Sequence, residues 1–233
     1  MQLTARDAAR LLGASESTLE RWVKGGELNA TRVNDQYRFN RFDLLEFAAA
    51  RDVPISAELL AELDQEAPEL PSLSGAIAAG GVHQGVAGED KASILKAVVD
   101  RLKLPRPADR DLLHRVLLAR EALGSTAFGN GIAIPHPRNP IVLRVATPEA
   151  AICYLDRPVE FGALDGKPVH TLVVLVSPST RAHLHLLALV ASVLRDPVVV
   201  AKLEARAGAD ELVPEIARVE ATLAAHRAGV ERP

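Results

Sequence analysis

The run Gly129-Asn130-Gly131-Ile132-Ala133-Ile134-Pro135-His136 sets an imidazole at the mouth of a short apolar segment, just past a glycine-rich turn. Gly129 and Gly131 allow the backbone to turn tightly and to approach a ligand with no Cβ in the way. Ile132-Ala133-Ile134 has the length and apolarity of a brief buried strand, and Pro135 stiffens the chain immediately before the ring. An imidazole held like this can act as a nucleophile or proton carrier, because aligning it costs little entropy. A structural loop histidine looks the same locally, so other residues must decide.

Arg120 stands sixteen positions earlier, in Leu118-Ala119-Arg120-Glu121-Ala122-Leu123-Gly124-Ser125-Thr126. His183 lies in Ala182-His183-Leu184-His185-Leu186-Leu187, which opens an apolar helix after the strand-like Thr171-Leu172-Val173-Val174-Leu175-Val176. The phrase REALGSTAFGNGIAIPH, with the later HLHLLALVASVLRD, resembles the phosphotransferase-system enzyme IIA domains of the fructose, mannitol and nitrogen-regulatory type, over about residues 91 to 215. The resemblance implies that His136 accepts a phosphoryl group from an HPr-like phosphohistidine carrier, with Arg120 and His183 around the phosphate. Pro137 departs from the family, which usually carries a small residue after the Pro-His pair.

Chemistry supports those residue types independently. Neutral imidazole, with a pKa of about 6.5, is nucleophilic near neutral pH. Transfer between two imidazoles needs alignment and compensation of charge on the equatorial oxygens more than covalent help. Arginine offers a planar, permanently charged set of donors for those oxygens. A second histidine can donate a further hydrogen bond and tune the phosphorylated state by its own protonation. Ser125, Thr126 and the glycine amides, Gly131 among them, are candidate phosphate donors. The arrangement demands no metal and no cofactor. Plainer roles stay open: Arg120 can cap the end of its helix, and His183 with His185 forms an H-x-H pair. Residues i and i+2 of a helix point to different sides, so that pair is poorly placed to share one ion. Cys153, the only cysteine, reads as a small apolar strand residue.

The elements that must position these groups alternate. Helices are expected over 91–102, 109–120, 184–194, 198–204 and 211–225, and strands over 131–134, part of 145–155, and 172–176. This pattern predicts an α/β fold, a mixed β-sheet flanked by helices, with the histidines where strand ends meet helix starts. The chain has 233 residues, enough for a sizeable core plus a small module. Hydrophobic residues make up 48% but aromatics only 3%, so the cores should be rich in Leu, Val and Ala. One cysteine excludes an internal disulfide framework. With no secretory leader or membrane-length apolar run, a cytoplasmic location and no membrane partner are expected.

Residues 52 to 90 hold eight acidic side chains and no lysine or arginine, and a Gly/Ala/Ser-rich tract runs to Gly88. This segment reads as a linker between residues 1–51 and a domain spanning 91–233. In the first part, a Thr-x-x-Asp start introduces a helix ending at Gly13, and Ser15 and Ser17 offer caps for a second helix over 18–24. Ala30–Val33 and Gln36–Phe39 read as a hairpin wing around Asn34-Asp35, and another helix starts near Arg41. LTARDAARLLGASESTLERWVKGGEL with QYRFNRFDLLEF resembles the excisionase/MerR-type winged helix-turn-helix DNA-binding domains. That resemblance implies Ser17, Thr18 and Arg21 at the major groove, Lys24 near phosphate, and Arg32 and Arg38 of the wing at the backbone or minor groove. Eight basic and seven acidic residues give this module a net charge of about plus one, low for a DNA binder. Paired half-sites on a homodimer would be needed for useful affinity.

These features predict a cytoplasmic regulator that accepts phosphate on His136 and couples it to duplex DNA or regulatory protein targets. Two alternatives stand beside it. One is a non-catalytic transcription factor whose IIA-like domain only dimerises or binds partners. The other is a transport-pathway phosphocarrier with an incidental amino-terminal module.

Overall fold

The computed structural model describes residues 2–33, 36–40, 43–44, 47–48, 70–104, 107–137 and 145–230. They fall into two compact units, Met1–Leu70 and Pro71–Pro233.

In the first unit, β1 (Gln2–Thr4) leads into α1 (Ala5–Leu11), followed by α2 (Glu16–Lys24), β2 (Thr31–Val33) and β3 (Gln36–Asn40). Thr4 caps α1 by accepting the Asp7 N–H at 3.2 Å, and its hydroxyl donates to the Asp7 carboxylate at 2.6 Å. Gly13 sits at φ +56°, the left-handed turn the sequence predicts. Ser15 caps α2, which therefore begins at Glu16, two residues earlier than expected. The wing has three strands in the order β1-β3-β2, because Leu3 pairs with Phe39 across from the β2 edge. The core holds Leu3, Ala8, Leu11, Leu12, Leu19, Phe39 and Leu44, and Trp22 packs on Phe47 with ring centroids 4.8 Å apart. The Asn34-Asp35 turn lies outside the described residues.

The second unit contains α3 (Leu73–Gly80), β4 (Val82–Val86), α4 (Lys91–Val99), α5 (Pro107–Ala122), β5 (Ala127–Gly129), β6 (Ile132–Ala133), β7 (Glu149–Val159), β8 (Val169–Val176), α6 (Thr180–Val193), α7 (Pro197–Glu204) and α8 (Ala209–Val230). The sheet order is β4-β7-β8-β6-β5. Strands β4/β7 and β6/β8 are parallel, while β7/β8 and β5/β6 are antiparallel, which makes the predicted mixed sheet. Both faces are covered, and the period-2 rule shows directly. Ala150, Ile152 and Tyr154 of β7 join a core with residues of α3, α6, α7 and α8. Ala151, Cys153 and Leu155 face the other way, onto α4 and α5.

The linker expectation for 52–90 needs correction over its described part. Residues 73–80 form a helix with one buried face and 82–86 form an edge strand of the sheet. The small residues mark close packing rather than freedom. A Cβ on Gly80 would fall 2.2 Å from the Ala150 carbonyl oxygen, so only glycine lets α3 approach β7 this closely. The Leu73 and Ser74 N–H groups at the start of α3 donate to the Glu220 carboxylate at 2.5 and 3.1 Å, fixing the helix to α8. Residues 51–69 lie outside the described residues. Among the described residues no single helix is long and apolar enough to cross a membrane.

Candidate functional site

Parallel strand β6 ends four residues short of the end of β8, and the site forms where the chain after β6 reaches the carboxyl end of β8. Ile132 pairs with Thr171, Ala133 pairs with Leu172, and the Leu175 N–H donates to the Pro135 carbonyl at 3.3 Å. The chain after β6 is thereby carried along β8 until His136 stands near its end. Three residues past β8, Ser179 caps α6, accepting the Ala182 N–H on its hydroxyl at 3.2 Å. His183 falls in the first turn of this helix and faces back over the strand ends. The ring centroids of His136 and His183 are 5.4 Å apart and their planes are tilted by 46°. The structure thus brings together two histidines separated by 46 intervening residues.

His136 is 4% exposed and His183 0%. Nδ1 of His136 lies 2.5 Å from the Ile134 carbonyl oxygen. A carbonyl only accepts, so Nδ1 carries the proton and, in the neutral ring, Nε2 holds the lone pair. His183 Nδ1 lies 3.4 Å from the buried Ser177 hydroxyl. Burial, and secondarily the charge of His136, hold the His183 pKa well below the ordinary histidine value. His183 is therefore neutral near pH 7. Both folded and unfolded states leave it neutral above an unfolded pKa of about 6.5. As pH falls below that value only the unfolded state takes up the proton, and stability declines. We expect wild type to lose on the order of 1 kcal/mol more than His183→Gln between about pH 7.5 and pH 5.5, read from urea midpoints.

Arg120 lies in the last turn of α5, and its Nη1 donates to the Gly124 carbonyl at 2.8 Å. The guanidinium is thereby tethered to the turn that follows the helix and precedes β5. Two of the predicted phosphate donors, Ser125 and Thr126, have protein acceptors. The Ser125 hydroxyl donates to the Phe161 carbonyl at 2.5 Å. Thr126 donates both its N–H, at 3.1 Å, and its hydroxyl, at 2.6 Å, to the buried Glu121 carboxylate. Gly131, at φ +73°, packs against the His170 ring, which a Cβ would strike at 2.3 Å. In this structure the Ser125 and Thr126 hydroxyls are thus engaged by protein acceptors, and the lack of a side chain at Gly131 makes room for His170. His185 is buried like its neighbours on α6. Among the described residues no group of three or more His, Cys, Asp or Glu side chains could hold a metal ion. Burial pushes the Cys153 thiol up to about 12, so it is inert at neutral pH.

Sequence reasoning missed Lys91 and Glu121, which form a 3.0 Å ion pair at the base of the Ser125-Thr126 turn. The signal was the Arg-Glu pair itself. Successive helical residues point about 100° apart, and here Arg120 is half-buried while Glu121 faces inward.

In the amino-terminal unit, α2 exposes Ser17, Arg21 and Lys24, with Thr18 half-buried. The Ser17 and Thr18 hydroxyls lie 2.8 and 2.9 Å from the capping Ser15 hydroxyl, and Lys24 pairs with Glu20 at 3.3 Å. Arg32 pairs with Tyr37 in register, and Arg38 pairs with Thr31. Neighbouring strand positions alternate faces, so Arg32 and Arg38 lie on opposite faces of the wing and are not brought together.

Comparison with known proteins agrees with this architecture. Residues 78–218 match the family model described as "Phosphoenolpyruvate-dependent sugar phosphotransferase system, EIIA 2", and residues 3–52 match a model described as "Helix-turn-helix domain". The chain is similar to a nitrogen regulatory protein of Pseudomonas aeruginosa, with 43% identity over 112 residues, 47% of this chain and 71% of that one. A nitrogen regulatory protein of Bradyrhizobium diazoefficiens is 39% identical over 114 residues, 48% of this chain and 72% of its own length. Among solved structures, the nitrogen regulatory protein IIA-Ntr of Neisseria meningitidis superposes with a TM-score of 0.52 at 27% identity, covering 59% of this chain and 93% of that one.

Proposed function

Since the chain belongs to the phosphoenolpyruvate-dependent sugar phosphotransferase system EIIA 2 family and carries an amino-terminal helix-turn-helix domain, we propose that it is a cytoplasmic, nitrogen-regulatory type phosphohistidine carrier coupled to DNA or partner binding. The observation that carries this function is the His136–His183 pair at the carboxyl end of β8, with the His136 proton directed to Ile134.

The Nε2 lone pair of His136 forms a P–N bond as the P–N bond on the carrier's histidine breaks, and that electron pair returns to the carrier's ring. No proton needs to leave His136, because the attacking nitrogen has none. The phosphoryl oxygens bring negative charge beside His183. This reverses the electrostatic influence that His136 exerts on that ring and favours a protonated, donating His183. Arg120, held at the end of α5, supplies a second cation toward the equatorial oxygens. The amino-terminal dipole of α6 adds a smaller stabilising contribution of the same sign.

One observation favours a second function. At 4% exposure, His136 could be a core residue of a scaffold that only dimerises or binds partners. Incubation with phosphoenolpyruvate, the first enzyme of the system and an HPr-like carrier separates the two. The proposed function yields one acid-labile phosphate by intact mass, whereas a scaffold remains unmodified with every carrier tried.

The exposed face of α2 supports duplex DNA as the partner of the amino-terminal unit. Arg21, well solvated and opposite the buried Leu19, is placed to reach base edges or phosphate. We expect Arg21→Ala to weaken duplex binding by about 10-fold at moderate salt, and wild-type affinity to fall as salt rises. Salt-insensitive binding, or none to a genomic library, would assign this unit to protein contacts instead.

A further inference from the structure

Glu121 follows Arg120 in the chain yet turns into the core, where it is 6% exposed. A carboxylate so placed needs full compensation, and it has it. Its oxygens accept from the Lys91 ammonium at 3.0 Å, from the Thr126 N–H at 3.1 Å and from the Thr126 hydroxyl at 2.6 Å. Lys91 is held in turn by the Phe161 carbonyl at 2.9 Å and lies 5.2 Å above that ring's centroid.

The chain of bonds does not stop at Thr126. The Thr126 carbonyl accepts the Ile134 N–H at 2.9 Å. The Ile134 carbonyl is the group that accepts the His136 Nδ1 proton, at 2.5 Å. A charged pair on α4 and α5 is therefore tied to the imidazole through two residues of the β5–β6 hairpin. Each link is short, and the residues from Glu121 to Ile134 are buried or half-buried at every junction. A displacement of Thr126 is passed to the Ile134 peptide and so to the acceptor that selects the tautomer of His136. Local sheet pairing alone does not account for Glu121, since an apolar residue would fill that position without any desolvation cost.

We propose that Lys91 and Glu121 are positioning residues for the phosphoryl acceptor. The pair holds Thr126, Thr126 holds Ile134, and Ile134 fixes His136 with its proton on Nδ1 and its lone pair on Nε2. This inference rests on the function proposed above, but its main readout does not need a phosphoryl donor.

The test uses the full chain with ¹⁵N-labelled histidine. Long-range ¹H–¹⁵N spectra report the His136 tautomer, and phosphoryl transfer at saturating carrier reports the consequence. Wild type is expected to show a single Nδ1–H tautomer. Thr126→Val, which removes one hydroxyl at nearly constant shape, and Glu121→Gln should both show mixed tautomers. Their transfer rate at saturation should fall about 10-fold, with KM for the carrier unchanged. Thr126→Ser should restore both. Glu89→Gln, which breaks an exposed ion pair with Arg157, serves as the charge control and should leave both unaltered. Where Glu121→Gln folds poorly, the double variant Lys91→Met/Glu121→Gln removes both charges together and should give the same mixed tautomers. A wild-type tautomer and rate in Thr126→Val and in either Glu121 variant would overturn the proposal. A wild type that takes no phosphate but shows the expected tautomer pattern would instead remove the carrier function and leave the positioning device standing.

Discussion

His136→Gln is expected to lose phosphoryl acceptance by at least about 10³-fold, with the fold intact. Glutamine can still donate to the Ile134 carbonyl and fills most of the space of the ring. It lacks an sp² nitrogen with an available lone pair, because its amide nitrogen is delocalised into the carbonyl. The substitution therefore separates packing from nucleophilicity. Acid-labile phosphate by intact mass and circular dichroism on the same sample check the two halves. Retained phosphorylation would place the acceptor elsewhere in the chain, and loss of the folded signal would call for His136→Asn as the milder replacement.

The second large effect is expected at His183. His183→Gln should slow transfer at saturating carrier by about 10²-fold, the scale seen when one stabilising donor is removed from developing negative charge. The cause is its position: a ring that burial keeps neutral in the resting protein stands 5.4 Å from the acceptor ring, centroid to centroid. Negative charge arriving on His136 draws a proton onto it. Urea midpoints near pH 7 on the same variant separate a folding defect from slower transfer. A rapid-quench measurement of phosphate on the protein decides this. An unchanged rate would take His183 out of the site and leave it a core residue of α6.

The candidate site was legible in sequence because its residues lie in local phrases with tight constraints. Gly129, Gly131 and Pro135 punctuate the chain around His136, and the apolar run after His183 shows helical length. The alternation of strands and helices beyond residue 91 likewise carried the mixed sheet. What escaped was long-range. The tract from 73 to 86 looks loose because it is rich in Gly and Ala, and only the position of β7 shows that Gly80 is demanded by contact with Ala150. Strand β1 is three residues long and forms only because Leu3 finds Phe39, which no local window contains. Glu121 and Lys91 are thirty positions apart, and each reads singly as a solvated surface charge. Thr126 and Ser125 showed the right hydroxyl chemistry for phosphate, but the acceptors that engage them, Glu121 and Phe161, are visible only in three dimensions. The relative placement of the wing arginines was also hidden: Arg32 and Arg38 belong to different register pairs, and their parity sets them on opposite faces.

The expectations for phosphoryl transfer depend on the orientation of one ring, with Nδ1 engaged by Ile134 and Nε2 turned to the incoming phosphate. Nitrogen-resolved NMR of the phosphorylated, ¹⁵N-histidine-labelled protein tests this most directly, through the phosphorus–nitrogen coupling. The account predicts a single new P–N coupling at Nε2 of His136, with Nδ1 still protonated. Coupling at Nδ1 of that ring, or phosphate on any other histidine, would contradict it.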